Sequence, residues 1–240
     1  MADRKIAVVT GAGGGIAAPL LPRLAAEGWG LHLTDISQEM LAPALAEARK
    51  HDPDATGVVS MLESVEACRA ALPPSGAIHA LVHLAGIFVP HSVSEQGRPV
   101  YERTMAANAD NAFDLVAAAD DRLADHARIV FISSLAFSAG SPEHPGYSMA
   151  KGALVGLTRA LARSHAPRGI LVNALAPGII ETGMPAHVIA KDGEAYRKRI
   201  PLGRFGAPEE VSGVIAFLLS PDAGYITGQT LRIDGGVTAG

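Results

Sequence analysis

The strongest constraint in the chain is a strand that runs straight into glycines. Residues 5–10 form a short apolar, β-branched run, the pattern of a buried strand. Gly11-Ala-Gly-Gly-Gly15 follows at once, then a helical pattern carrying Ile16, Leu20, Leu21 and Leu24. Glycines let the backbone turn tightly and approach a ligand closely. The helix start adds unpaired N–H groups and the positive end of its dipole, so the unit reads as a phosphate cradle. Asp35 closes the next strand, residues 31–35, twenty positions after Gly15. A carboxylate at that spacing hydrogen-bonds dinucleotide ribose hydroxyls and repels a 2′-phosphate. Ile36 brings no cation to offset it. The cofactor expected is NAD.

The alternation continues to the end of the chain. Further strands are predicted at 57–59, 80–84, 128–133, 170–175 and 230–233. Helices are predicted at 38–50, 65–72, 99–123, 147–165 and 208–219. About seven alternating strands imply an α/β fold: a Rossmann-type, doubly wound parallel sheet with helices on both faces. The 240 residues, 48% apolar, suit one domain over 1–240. Residues 181–204, rich in Gly, Pro and charge, read as a long loop and a lid over the substrate. Pro22 is expected to kink or delay the first helix, at ~3 kcal/mol if uncompensated.

Net charge is −4 and pI about 6.1, so no broad basic surface invites nucleic acid or anionic lipid. The single cysteine, Cys68, allows no internal disulfide and reads as a small buried hydrophobe. No apolar run reaches membrane-spanning length, so no membrane association and a cytoplasmic location are expected. The nine histidines show no metal-ligand spacing, and no metal is expected.

Chemistry concentrates in Tyr147-Ser148-Met149-Ala150-Lys151. Tyr and Lys four apart on a helix share one face. A free phenol titrates near 10, too high for proton transfer at neutrality, and an ammonium one turn away pulls it down. The strand before this helix ends in Ser133-Ser134, hydroxyls delivered to the ligand edge of a parallel sheet.

Together these pieces resemble the short-chain dehydrogenase/reductase family in its shorter single-domain form, over nearly the whole chain. Thr10-Gly-Ala-Gly-Gly-Gly-Ile16 is similar to its glycine loop, and Asn108, Ser134, Tyr147 and Lys151 match its catalytic tetrad in order and spacing. The segment from Asn173 through Pro177, Gly178, Ile180 and Thr182 resembles its nicotinamide-side stretch. Residues 204–211 and 233–236 resemble its C-terminal signatures.

The resemblance implies hydride transfer between nicotinamide and a carbon bearing a hydroxyl or carbonyl. Tyr147 would be the proton donor or acceptor, and Ser134 would orient the substrate oxygen. Lys151 would lower the Tyr147 pKa and hold the ribose, and Asn108 would hold a relay water. The cofactor contacts it implies are Gly11, Gly13, Gly14, Gly15, Ile16, Asp35, Ile36, Ala85, Gly86, Tyr147, Lys151, Pro177, Gly178, Ile180 and Thr182.

The chain departs from the family pattern in three places. Ala17 stands where a third glycine is usual. His83-Leu-Ala-Gly86 replaces Asn-Asn-Ala-Gly, and His83 is read as a hydrogen-bonded core histidine. Residues 59–62 lack the acid that often meets adenine.

Substrate walls are expected from Phe88, Leu135, Phe137, Met184 and Val188, all apolar, which suits a small or medium neutral secondary alcohol or its ketone. The rival readings are a 3-oxoacyl-thioester reductase and a non-catalytic dinucleotide-sensing protein. Leu154, Val155, Leu157 and Leu161 spread around the helix at 147–165, and the helix before it is Ala-rich. Apolar surface on more than one side predicts a homo-oligomer, a tetramer.

Overall fold

Seven parallel strands run through residues 4–238, the part of the chain that the computed structural model describes. The first half comprises β1 Ile6–Thr10, α1 Ala17–Ala26, β2 Gly30–Asp35, α2 Gln38–Arg49, β3 Thr56–Val59, α3 Val65–Ala70 and β4 Ile78–His83. The second half comprises α4 Arg98–Met105, α5 Asn111–Ala119, β5 Leu123–Ile132, α6 Ala136–Ala139, α7 Pro145–Ser164, β6 Leu171–Pro177, α8 Ala186–Lys198, α9 Pro208–Leu219 and β7 Thr230–Ile233. The strand order is β3-β2-β1-β4-β5-β6-β7, as a doubly wound sheet requires. The order reverses between β1 and β4, and a ligand crevice forms beyond the strand ends at such a point.

The period of two along each strand divides the core into two layers. Ala7 and Val9 meet Leu20, Leu24 and Ile215 on one face of the sheet. Val8, between them, meets Leu115 and Leu154 on the other. Cys68 is fully buried in that second layer. Ala17 is fully buried too, so its methyl is accommodated where glycine is usual.

Four sequence expectations need correction. Pro22 does not delay α1, which starts at Ala17 and runs through it. Residues 99–123 are not one helix. A π-helical segment, Ala106–Asp110, separates α4 from α5, and Leu123 already belongs to β5. The cause is Asn108, whose amide donates to Thr104 O at 2.9 Å and to Ile87 O at 3.0 Å. A side chain entering the helical ladder widens the turn locally. The strand expected from 128 begins earlier, at Leu123, because the polar Asp125-His126 hides it in the hydropathy pattern.

The stretch 181–204 is not a loop throughout, since α8 occupies Ala186–Lys198 with a kink at Asp192. Gly193 and the charges mask its helical period, and Gly193 packs near Ile189 and Phe205.

The outer helices also differ in detail. Leu154 and Val155 are buried, and Leu157 and Leu161 pack partly against the second layer. The exposed side of α7 is instead Met149 with small residues, Ala153, Gly156 and Ala160, and Phe113 stands out on α5.

Candidate active site

Three segments meet at the ends of β1, β4 and β6. Gly11 has φ +65°, and a Cβ there would lie 2.7 Å from Ala85 N. A Cβ on Gly15 would lie 2.6 Å from Thr182 Cγ2, so Thr182 covers the turn. A Cβ on Gly13 would collide with Met40 O. Side chains are thus excluded around a helix start that has no side-chain cap, with Ile16 at the N-cap. Gly14 leaves that rim free of any side chain. Open N–H groups in a narrow glycine cradle fit the pyrophosphate of a dinucleotide.

Asp35 stands at the rim. Gly13 N donates to its Oδ2 at 2.8 Å, and Ile36 N donates to its Oδ1 at 2.7 Å. Ser37 caps α2, its side chain accepting from Met40 N. Ile36 projects into solvent, 56% exposed. Gly178 N donates to Ile233 O, and Ile180 bridges to Gly206, so Pro177, Gly178, Ile180 and Thr182 follow one course back over the glycines.

Ser134, Tyr147, Lys151 and Asn108 lie close together at the ends of β4 and β5. Lys151 Nζ lies 5.4 Å from the Tyr147 ring centre. It donates to Ile132 O at 2.8 Å, and burial pushes its pKa down to about 7. Tyr147 does not follow the expected direction. Burial drives its phenol up to about 12, and only the Ser134 hydroxyl beside it pulls the other way. Desolvation outweighs the ammonium, because Lys151 is itself desolvated and loses much of its charge near neutrality.

A Cβ on Gly86 would lie 2.4 Å from Asn108 Oδ1 and 3.4 Å from Lys151 Nζ, which brings Gly86, Asn108 and Lys151 to one spot. Both amide hydrogens of Asn108 are used, and Ile87 N donates to its Oδ1 at 3.2 Å. Its side chain therefore holds Ile87 in place and has no N–H left for a relay water. Ser133, adjacent to Ser134, donates to Lys151 O at 2.7 Å and clamps α7 onto β5.

His83 is the core histidine expected. Its Nδ1 lies 2.8 Å from Thr10 Oγ1 and its Nε2 3.2 Å from Asn111 Oδ1, and burial pushes its pKa down to about 3.

Of the expected substrate walls, Phe88 reaches Tyr147, its ring edge-on to the phenol ring at 4.8 Å. Leu135 approaches Gly178, and Phe137 is half-buried on α6. Met184, 43% exposed, and Val188 flank His187 at the start of α8. Two residues were missed. His144 stacks on Phe88 at 3.7 Å, and His187 lies 5.5 Å from the same ring. The available signal was a histidine three positions before Tyr147.

A family model described as enoyl-(acyl carrier protein) reductase matches residues 11–238. The 3-oxoacyl-[acyl-carrier-protein] reductase FabG of Aquifex aeolicus is 36% identical over 241 residues, covering 97% of each chain. The 2-(S)-hydroxypropyl-CoM dehydrogenase 3 of Xanthobacter autotrophicus is 32% identical, covering 98% of this chain and 97% of its own. Among solved structures, a short-chain dehydrogenase/reductase (glucose/ribitol dehydrogenase) from Brucella melitensis superposes with TM-score 0.90 at 34% identity, covering 97% of this chain and 96% of its own. An actinorhodin polyketide ketoreductase with NADPH superposes with TM-score 0.90 at 29% identity, covering 98% and 97%.

Proposed function

The chain belongs to the short-chain dehydrogenase/reductase family, and within it we propose an NAD-dependent oxidoreductase that interconverts a secondary alcohol and a ketone. The observation that carries this reading is a buried Tyr147 set between Ser134 and Lys151, beside a glycine turn with no room for side chains at Gly11, Gly13 and Gly15. A bound nicotinamide supplies or accepts the hydride. The chain's residues handle the substrate oxygen and its proton. Ser134 donates a hydrogen bond to that oxygen. Tyr147 gives it a proton in reduction and takes one in oxidation. Lys151, when charged, favours the phenolate. The apolar surroundings of Phe88, Leu135 and Phe137 suit a neutral substrate, and residues 181–204, with α8, serve as its lid.

NAD is favoured over NADP by Asp35 and the exposed, uncharged Ile36 beside it. A 2′-phosphate there would meet a carboxylate with no compensating cation, and NADP would forgo the ribose hydrogen bonds. Those bonds are worth about 1.5–3 kcal/mol, or about ten- to a hundredfold. A second reading, a 3-oxoacyl-thioester reductase using NADPH, draws support from the relatives named as such and from the NADPH-bound ketoreductase. Steady-state kcat/KM with both cofactors, on secondary alcohols, ketones and a 3-oxoacyl thioester, separates them. NAD(H) is expected to win on a ketone or alcohol. A preference for NADPH with the thioester would favour the second reading.

A homotetramer accompanies this reading. Phe113 on α5 and Met149 on α7 are 60% and 55% exposed, and the exposed Ala153, Gly156 and Ala160 of α7 leave room for close approach of a copy. The edge strand β7 offers a second contact, and Phe217 and Tyr225 are exposed on the stretch of chain that leads to it. Light scattering is expected to give four times the chain mass of 24.7 kDa. A stable monomer at micromolar concentration would remove the proposal.

A further inference from the structure

The partners of His83 fix its ring completely. His83 closes β4 at 1% exposure, in register with Thr10 of β1 on one side and Phe131 of β5 on the other. Its Nδ1 lies 2.8 Å from Thr10 Oγ1 and its Nε2 3.2 Å from Asn111 Oδ1. The Asn111 amide nitrogen is turned away, donating to Ala107 O at 2.8 Å. Asn111 Oδ1 can only accept, so the ring hydrogen sits on Nε2. Burial first, and then the Lys151 ammonium, push the His83 pKa down to about 3, so the ring is neutral at neutral pH. Nδ1 is therefore a bare acceptor, and the Thr10 hydroxyl donates to it. Three hydrogen bonds run in one direction, from Thr10 through His83 and Asn111 to Ala107.

The ends of this chain belong to the two halves of the site. Thr10 leads into Gly11, which packs so closely on Ala85 that a Cβ would lie 2.7 Å from its N. Ala107 lies in the π-helical segment next to Asn108, which shares one spot with Gly86 and Lys151. Both hydrogen bonds of the His83 ring leave β4, one toward each half. A residue that only filled space would need neither.

We propose that His83 is a positioning residue for hydride transfer: its single ring couples the glycine turn, through Thr10, to the segment that carries Asn108, through Asn111, and so sets where the bound nucleotide lies relative to Tyr147 and Lys151. This inference rests on the oxidoreductase reading above.

The test cuts the two bonds one at a time. His83→Asn keeps an acceptor near the Nδ1 position for Thr10 and is too short to reach Asn111. His83→Gln reaches the Nε2 position, keeps a donor for Asn111 and leaves Thr10 without its acceptor. Two quantities are read: the Kd for NADH by fluorescence titration, and the single-turnover rate of hydride transfer at saturating NADH, on the ketone that the wild type reduces fastest. His83→Asn is expected to slow hydride transfer at least about tenfold with Kd within about twofold of wild type. His83→Gln is expected to raise Kd about three- to tenfold with the rate within about twofold. Folded variants that leave both quantities unchanged, or that change both together, would overturn the inference, because His83 would then act by packing alone. Should the variants fail to fold by circular dichroism, Thr10→Val and Asn111→Ala cut the same bonds from the other side, with the same split expected and the same overturning result. On the wild-type chain, ¹⁵N NMR is expected to show one buried imidazole with its hydrogen on Nε2 from pH 5 to 8. Only Nδ1–H or charged rings in that range would overturn the inference independently of any variant. A wild type that turns over no ketone or alcohol would remove the oxidoreductase reading and this inference with it. An active wild type without the split would remove only the inference.

Discussion

Tyr147→Phe lowers turnover by about 10²–10⁴-fold, the usual contribution of a positioned proton donor, and leaves nicotinamide nucleotide binding nearly intact. The substitution removes one oxygen and keeps the ring that meets Phe88 edge-on, so packing around the helix start is preserved. It adds no bulk to a residue that is only 8% exposed. The proton is what disappears, and neither Ser134, a hydroxyl of far higher pKa, nor Lys151, directed at Ile132 O, stands in its place. Lys151→Ala should differ by damaging nucleotide binding as well as turnover. The pH dependence has a definite sign. A phenol held up to about 12 is almost wholly protonated at neutral pH, ready for ketone reduction. Its base form, needed for alcohol oxidation, grows as pH rises, so oxidation is expected to gain and reduction to lose in the alkaline range. The support from a charged Lys151 fades above about 7, which sharpens the need for the phenol itself. Turnover assays with fluorescence titration of NADH check the variant. Retention of most activity by Tyr147→Phe would mean that the chemistry lies elsewhere.

The parts legible in the sequence were those governed by local rules. The apolar run of β1, the glycine turn that follows it and the extent of α2 needed only neighbours in the chain. The four-residue spacing of Tyr147 and Lys151 worked because a helix converts spacing directly into a shared face. The parts not legible depend on contacts between distant segments. Asn108 widens the helix because Ile87, far upstream, draws its amide out of the ladder. The expected lowering of the Tyr147 pKa failed because burial, invisible to spacing, acts on the phenol and the ammonium alike. Ser133 and Ser134 look equivalent in sequence, yet alternation along the strand sends one to the α7 backbone and leaves the other beside the phenol. His144, Phe88 and His187 come from three separate connections, and only the closed sheet puts their rings together. α8 was hidden because its apolar positions, Val188 and Ile189, are few and its middle carries Asp192 and Gly193.

The second large effect is transfer of a label, and it bears on hydride transfer itself. The buried, largely apolar setting of Tyr147 and Lys151 keeps water from the reacting carbon, so hydrogen should pass directly from nucleotide to substrate without exchange. The substrate oxygen, by contrast, takes its proton from Tyr147 and ultimately from solvent. The two hydrogens of the product alcohol therefore have different sources, which an isotope distinguishes. The measurement is reduction of a methyl ketone by the wild-type chain with NADH deuterated at the nicotinamide C4 position, with the product alcohol read by mass spectrometry and NMR. The expected result is deuterium on the carbinol carbon, one label per turnover, with none lost to water. Product alcohol free of deuterium when both C4 positions are labelled, or no alcohol formed with either nicotinamide nucleotide, would contradict the proposed chemistry.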